Sequence, residues 1–418
     1  MTTHRTYLRL AASTLTLTLL SACAWLAPTP ALDPTVFPQI DRAIQRNIDE
    51  GKLPGAVFWL ERNGEAYGHA YGRLTPDANA PQVDVDTLFD AASLTKVVVT
   101  STLIQLLIDD GTIGYEDSLT KYLPECAAEG RDAITLRHLL THTSGLLAGL
   151  PAKPAWRGKP EAIRRACALV PTDAPGTLFR YSDVNFILLG VVIERASGLA
   201  LEALATQRIF KPLGMTRSGY HPLARFAPEN IAPTQKTAAK ADESLHFDLP
   251  REHELRGIVH DPTSRFMGGV AGHAGLFTTI RDLAAFARMM ADGGMVNGRR
   301  FLSPESVVRL TTVQSAEAAY YRRSAGWDID TPFSRPRGTL FPVGSYGHTG
   351  FTGCIIWIDP YSKTFYAFLS NRVYPDDKSS ILPLYNELGT LAAKAAPGFD
   401  FANVPGAMVA RPVLPATR

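Results

Sequence analysis

The sequence predicts an α+β fold, with one antiparallel sheet built from both chain termini, flanking helices and an inserted, mainly helical region. Two observations lead there. Alternating apolar runs broken by turn residues occur near the start of the chain and again near its end. Between them lie apolar residues at helical spacing. Strands at both ends with helices between make a single sheet joining the two ends the natural layered arrangement.

Taken in order, "QIDRAIQRNIDEG" from Gln39 is an amphipathic helix closing on a glycine. "GAVFWLERNGEAYGHAYGRL" from Gly55 is a hairpin turning at Asn63-Gly64, a dipeptide suited to the tightest hairpin turn. Helical patterns follow in "TKVVVTSTLIQLLIDDG", "ITLRHLLTHTSG", "NFILLGVVIERASG", "LEALATQRIFKPLG" and "TIRDLAAFARMMADGG". A second strand pair, "GCIIWIDPYSKTFYAFLSN", turns around Asp359-Pro360, and "ILPLYNELGTLAAKAA" is the last helix. The expected organisation is a domain over 38–395, with its helical region spanning roughly 110–335 and a C-terminal tail at 396–418.

With 418 residues, 45% of them apolar and 20% charged, the chain can bury a large core. A formal net charge of +2 is too small to imply a nucleic-acid partner. No internal repeat or low-complexity block is visible, and no glycine-rich phosphate loop calls for a nucleotide or nicotinamide cofactor.

The first residues read as an export signal. Arg5 and Arg9 precede a short apolar stretch from Leu10 to Leu20, too short to span a bilayer. It ends in "LSAC", which resembles the lipobox of bacterial lipoproteins. That resemblance implies a signal peptide at 1–22, a lipid on Cys23 as mature N-terminus, a tether at 23–37 and attachment to the membrane through lipid. Ala24 after the cysteine favours the periplasmic face of the outer membrane if the host is diderm. Cys126, Cys167 and Cys354 form no CxxC pair; buried thiols are expected, with one disulfide possible but not assignable.

Chemistry first shows in "FDAASLTKVVV", where Ser93 and Lys96 stand one helical turn apart in an apolar run. A serine hydroxyl is a poor nucleophile until a base takes its proton, and a lysine whose pKa is depressed by burial could be that base. The same pattern also fits a capping serine followed by a lysine lying along the surface. Two further stretches decide between these. "FRYSDVNFILLG" places Tyr181 and Asp183 just before an apolar helix, and "YGHTGFTG" places His348, Thr349 and Gly350 before the strand "CIIWI".

Ser-x-x-Lys, Tyr-x-Asp and His-Thr-Gly in this order resemble the serine β-lactamase and penicillin-binding protein superfamily. The resemblance covers nearly all of residues 35–395, including "LRHLLTHTSGL" and "GIVHDPTSRFMGGVAGHAGLFTT". The latter is similar to the branch holding class C-like hydrolases, penicillin-binding protein 4B and muropeptide amidases. The resemblance implies a β-lactamase-like fold and a serine hydrolase working without metal or cofactor. Ser93 would be the nucleophile, and Lys96 and Tyr181 the proton-handling groups. Backbone N–H groups of Ser93 and Phe351 would form an oxyanion hole. Asp183, His348, Thr349 and Gly350 would contact substrate, with Gly350 letting the strand edge come close to it.

Two residues depart from the class C pattern. Asp183 stands where asparagine is usual; it either pairs with Lys96, shifting the base role towards Tyr181, or caps the helix beginning near Asn185. His348 replaces lysine and would make a fixed positive charge pH-dependent. This weakens a β-lactam or D-Ala-D-Ala reading and leaves esters and muropeptide amides open.

His260, Asp261 and His273 fit no zinc signature, so no metal is expected there. Their glycine-rich surroundings suggest a tight turn leading to a helix at Leu283, with His273 at most on the cleft rim. His142 is expected to hydrogen-bond locally at a helix end. The expectation is an exported serine hydrolase acting on a small peptide, amide or ester, chiefly peptidoglycan-derived, as a D-Ala carboxypeptidase or muropeptide amidase. Its rivals are a broad esterase or weak β-lactamase of the same fold, and a lipoprotein that binds peptidoglycan without turnover.

Overall fold

The computed structural model describes residues 30–128, 131–237 and 253–414. The signal peptide and Cys23 lie outside the described residues. Everything below belongs to one unit beginning at Ala31.

Helix α1, Phe37–Asp49, starts with a proline in its first turn, where no N–H partner is lost. It buries Ile40, Ala43, Ile44 and Asn47, the i, i+3, i+4, i+7 stripe of an amphipathic helix. Leu32 and Val36 are buried ahead of it, so the segment expected as a tether is docked on the fold from its second half onward.

Strands β1 (Gly55–Arg62) and β2 (Glu65–Gly72) form the expected hairpin. Both turn residues have positive φ, 50° at Asn63 and 83° at Gly64, as this tight turn demands. A two-residue strand β3 (Phe89–Asp90) pairs with β4 (Phe277–Thr278), far away in sequence. Strands β5 (Arg322–Arg323), β6 (Asp328–Asp330), β7 (Tyr346–Gly350), β8 (Cys354–Asp359) and β9 (Thr364–Ser370) complete the main sheet. Its seven strands run β2-β1-β9-β8-β7-β6-β5, every neighbour antiparallel. The two chain ends meet where β1 pairs with β9. Strands β5 and β6 join this sheet before residue 335, where the helical region was expected to end.

The strands serve two cores by their period of two. Ala56, Phe58 and Leu60 of β1, Ile355 and Trp357 of β8, and Tyr366 and Phe368 of β9 face α1 and the last helix, Leu382–Lys394. Val57, Ile356, Ile358, Phe365, Ala367 and Leu369 face the opposite way, into the larger core shared with the inserted helices. The tail packs back on the body: the Met408 N–H donates to the Val343 carbonyl and the Arg411 N–H to Asp330.

The inserted region carries four helices that matter for the site. They are α2 (Thr102–Asp109), α3 (Leu136–Leu140), α4 (Asp183–Ser197) and α5 (Ile280–Ala291). α4 buries its residues from Val184 to Ile193 without a break, so it is a core helix and not an amphipathic one. Arg288 of α5 grips the buried Glu61 of β1 through Nε at 2.5 Å and Nη2 at 2.7 Å, fastening helix to sheet. Cys126 and Cys167 form a disulfide, correcting the expectation of three thiols; Cys354 is free and buried.

Candidate active site

β3 ends in a turn that presents Ser93. Ala92 adopts φ 46°, a conformation that strains a non-glycine residue. Three bonds hold it there. Asp90 Oδ1 accepts from the Ala92 N–H at 2.8 Å, Thr95 Oγ1 donates to the Ala92 carbonyl at 2.7 Å, and the Leu276 N–H donates to Thr95 Oγ1 at 3.1 Å. The helix that follows passes through a wide π-type turn from Lys96 to Ser101 before becoming α2, a distortion often met at functional sites.

Lys96 is wholly buried. Its ammonium donates to Ser93 Oγ at 3.0 Å and to the His273 carbonyl at 3.0 Å, and lies 2.7 Å from Asp183 Oδ1. Its three N–H donors thus all have acceptors, with the Tyr181 hydroxyl also within hydrogen-bonding reach. Burial alone would favour the neutral amine, but Asp183 and the Tyr181 phenol outweigh it and hold the pKa above the ordinary lysine value. A lysine left neutral by burial, and so ready to take a proton, is therefore not what the structure shows. The His273 carbonyl reaches Lys96 because Gly272 packs against α4: a Cβ on Gly272 would sit 2.1 Å from the Phe186 carbonyl. This close approach is what that glycine is for.

Asp183 and Tyr181 come from the entry to α4. Ser182, not Asp183, is the cap, its Oγ accepting from the Asn185 N–H. Asp183 is left free to pair with Lys96, which settles the two alternatives. The Tyr181 ring centroid stands 5.2 Å from Lys96 Nζ.

On the other wall, β7 carries His348, Thr349 and Gly350. Gly350 lies so near the nucleophile turn that a Cβ would meet the Ala91 carbonyl at 2.5 Å. The close approach seen here is to the nucleophile turn. His348 is buried; its Nδ1–H donates to the Thr349 carbonyl at 2.8 Å, and its Nε2 has no partner among the described residues. Burial, then Arg323 and Lys96, push its pKa well below the ordinary histidine value. The expected pH-dependent cation is instead a neutral imidazole.

Ser93, Tyr181 and Phe351 border two cavities. One, of about 180 Å³, is lined also by Arg323, Asp328, Phe333, His348 and Thr349. The other, of about 380 Å³, brings in Asp183, Gln235, His260, Asp261, His273 and Asp377. Sequence reasoning missed Arg323. It is buried, its Nη2 donates to the Gly326 carbonyl at 2.7 Å, its Nη1 pairs with Asp328 at 3.4 Å, and its Nε has no partner among the described residues. No local pattern marks it, because only the pairing of β5 with β6 at the sheet edge brings it to the cleft. Asp90 was also missed, although a carboxylate inside the apolar run before Ser93 was a visible signal.

His260, Asp261 and His273 do come together beside Ser93. Asp261 Oδ1 accepts from His273 Nε2 at 2.8 Å and from the Ser264 N–H at 2.7 Å. The His260 N–H donates to Asp90 Oδ2 at 2.7 Å, while its ring stacks on Phe351 at 5.6 Å.

A serine on a strained turn, a buried charged lysine against its hydroxyl and a tyrosine across the cleft, set between an antiparallel sheet and a helical region, define a serine hydrolase. The chain belongs to the Beta-lactamase family, whose pattern it matches over residues 40–389. It is 30% identical over 365 residues to an Escherichia coli K12 protein provisionally named D-alanyl-D-alanine carboxypeptidase, covering 80% of this chain and 82% of that one. Among solved structures it is similar to a penicillin-binding protein homologue from Caulobacter crescentus (TM-score 0.68, 21% identity, 88% of this chain and 99% of that one). It is similar too to a class C β-lactamase mutant (TM-score 0.65, 20% identity, 86% and 96%). These bear out the β-lactamase-like fold read from the three motifs.

Proposed function

We propose that the protein is a D-alanyl carboxypeptidase-type hydrolase of cell-wall peptides, acting through an acyl-enzyme on Ser93. The observation that carries the mechanism is the saturated Lys96 ammonium. With all three of its protons engaged, it is a charge-stabilising group and not the base. Tyr181, which borders both cavities together with Ser93, takes the base role.

In acylation the Ser93 proton passes to the Tyr181 oxygen while Oγ attacks the carbonyl carbon. Lys96 stabilises the phenolate form of Tyr181 that accepts it. The N–H groups of Ser93 and Phe351 hold the oxyanion. On collapse the carbon–nitrogen bond breaks and Tyr181 returns the proton to the leaving amine. In deacylation, water gives its proton to Tyr181 and attacks the ester, and Ser93 leaves with that proton.

Arg323 supports a leaving group that carries a carboxylate, since a buried guanidinium whose Nε has no partner among the described residues borders the smaller cavity. The name of the Escherichia coli relative points the same way. The neutral His348 favours the second reading, a short ester or muropeptide amide. For location, the Cys126–Cys167 disulfide supports an oxidising envelope, in keeping with export and a lipid on Cys23.

The test is release of D-alanine from a diacetyl-Lys-D-Ala-D-Ala peptide by the protein and by S93A. Release that depends on Ser93 supports the carboxypeptidase reading. Ser93-dependent turnover of short esters or a muropeptide amide without D-alanine release would replace it.

A further inference from the structure

Tyr181 sits on a loop, and a proton-transfer group must be held to within a fraction of an ångström. The segment "HTSGLLA", His142 to Ala148, is what holds it. The Gly176 N–H donates to the Thr143 carbonyl, the Thr172 N–H to Gly145, Ser182 Oγ to Leu147 and the Asp183 N–H to Ala148. The two bonds nearest the tyrosine both go to His142. The Arg180 N–H donates to its carbonyl at 2.9 Å, and the Ser182 N–H to its Nδ1 at 3.1 Å. The residues on either side of Tyr181 are thus fastened to one histidine, whose ring also lies 4.5 Å from the Tyr181 ring at 32°. Phe333 closes the other side at 5.5 Å.

The histidine is itself fixed. It is buried, takes φ 56°, and has Asn185 Nδ2 at 3.5 Å from Nδ1, while Ser144 Oγ donates to Asn185 Oδ1 at 2.6 Å. The side-chain bonding is long-range, correcting the expectation of a local helix-end role. Because Nδ1 accepts the Ser182 N–H, the ring is neutral with its proton on Nε2.

We propose that His142 is a positioning residue for Tyr181, setting the height and tilt of the phenol beside Ser93 and Lys96. It donates and accepts no proton in the reaction; it acts only through the tyrosine. This rests on the base role given above to Tyr181.

The experiment is a double-mutant cycle read as the rate of Ser93 acylation by p-nitrophenyl acetate, using the full chain in four forms: unaltered, H142A, Y181F and H142A/Y181F. H142A is expected to slow acylation roughly 30-fold. In the Y181F background the same change costs less than about threefold, because the group being positioned is already disabled. H142N, whose Oδ1 can take the Ser182 N–H and whose backbone tolerates positive φ, recovers part of the loss.

A loss of equal multiple in both backgrounds overturns the proposal, since a merely structural histidine would damage both alike. So does an H142A rate within threefold of the unaltered protein. Should H142A not fold, the cycle with H142N decides on the same criteria, a loss undiminished in Y181F or no loss at all overturning it. Y181F alone separates the two levels. If it acylates at the unaltered rate, the base assignment has failed and this proposal falls with it.

Discussion

Asp183 Oδ1 stands 2.7 Å from Lys96 Nζ, with the lysine side chain wholly buried and the aspartate about one-third exposed at the cleft. The pair keeps a full positive charge inside the protein beside a nucleophile, which an asparagine at 183 would do less firmly. Because the folded-state pKa of Lys96 lies above the ordinary value, its contribution to stability is complete below about pH 10.4 and is lost only as pH rises through the folded value.

D183N should therefore act at neutral pH, where the pair is intact. Burial then dominates at Lys96, and the alkaline limb of the pH–rate profile moves down by at least about one unit. The stability cost is about 1–3 kcal/mol, reduced from that of a fully enclosed pair because Asp183 reaches solvent and asparagine still offers an acceptor. Urea unfolding and a pH–rate series measure both. An unchanged alkaline limb would remove Lys96 from its charge-stabilising role.

The acid limb has a different source. Burial pushes Asp90 up to about 6, against the pull of the His260 and Ala92 N–H groups it accepts. As pH falls through about 6 the carboxyl gains a proton, can no longer accept both N–H groups equally, and slackens the Ala92 turn under Ser93. Activity should fall there. The fold should not, since the native state binds this proton more tightly than the unfolded chain and gains stability as pH drops from about 6 to about 4. D90N should be slow throughout and lack this limb, whereas H348Q should keep it, because His348 is neutral across the range. A limb that moves in H348Q and survives in D90N would reverse the assignment.

The strand that carries Gly350 packs on the nucleophile turn with no room for a methyl group. G350A should displace Ala91 and with it Ser93, lowering kcat on the order of 100-fold at a stability cost of about 1–3 kcal/mol. A kcat within threefold of the unaltered protein would show the turn to be less constrained than its contacts imply.

Those contacts also show why parts of the molecule could be read in advance and others could not. The Asn63-Gly64 hairpin and α1 are written in local turn chemistry and periodicity, and the helix at Asp183 in an unbroken apolar run, signals that act over a few residues. Ser93, Lys96 and Tyr181 were visible because their spacing and local context travel together along the chain. The β3–β4 pairing, Arg323 and the Cys126–Cys167 bond are long-range, joining residues whose neighbourhood exists only after folding. His348 shows a subtler limit. Its identity was plain, but its charge depends on burial and on Arg323 and Lys96, none of which its own sequence neighbours specify.

The disulfide offers a test remote from the chemistry. Cys126 and Cys167 are 41 residues apart, and neither lines a cavity with Ser93. Closing a loop of that length restricts the unfolded chain by about 3–4 kcal/mol on the chain-entropy account. C126A/C167A should thus lower Tm by roughly 4–5 °C while kcat/KM at 25 °C stays within about twofold. Reduction of the unaltered protein should give the same Tm, and thiol titration in denaturant should find two more thiols after reduction than before. Equal thiol counts, together with an unmoved Tm in the double variant, would mean the two cysteines are not joined and would remove the disulfide as support for an oxidising compartment.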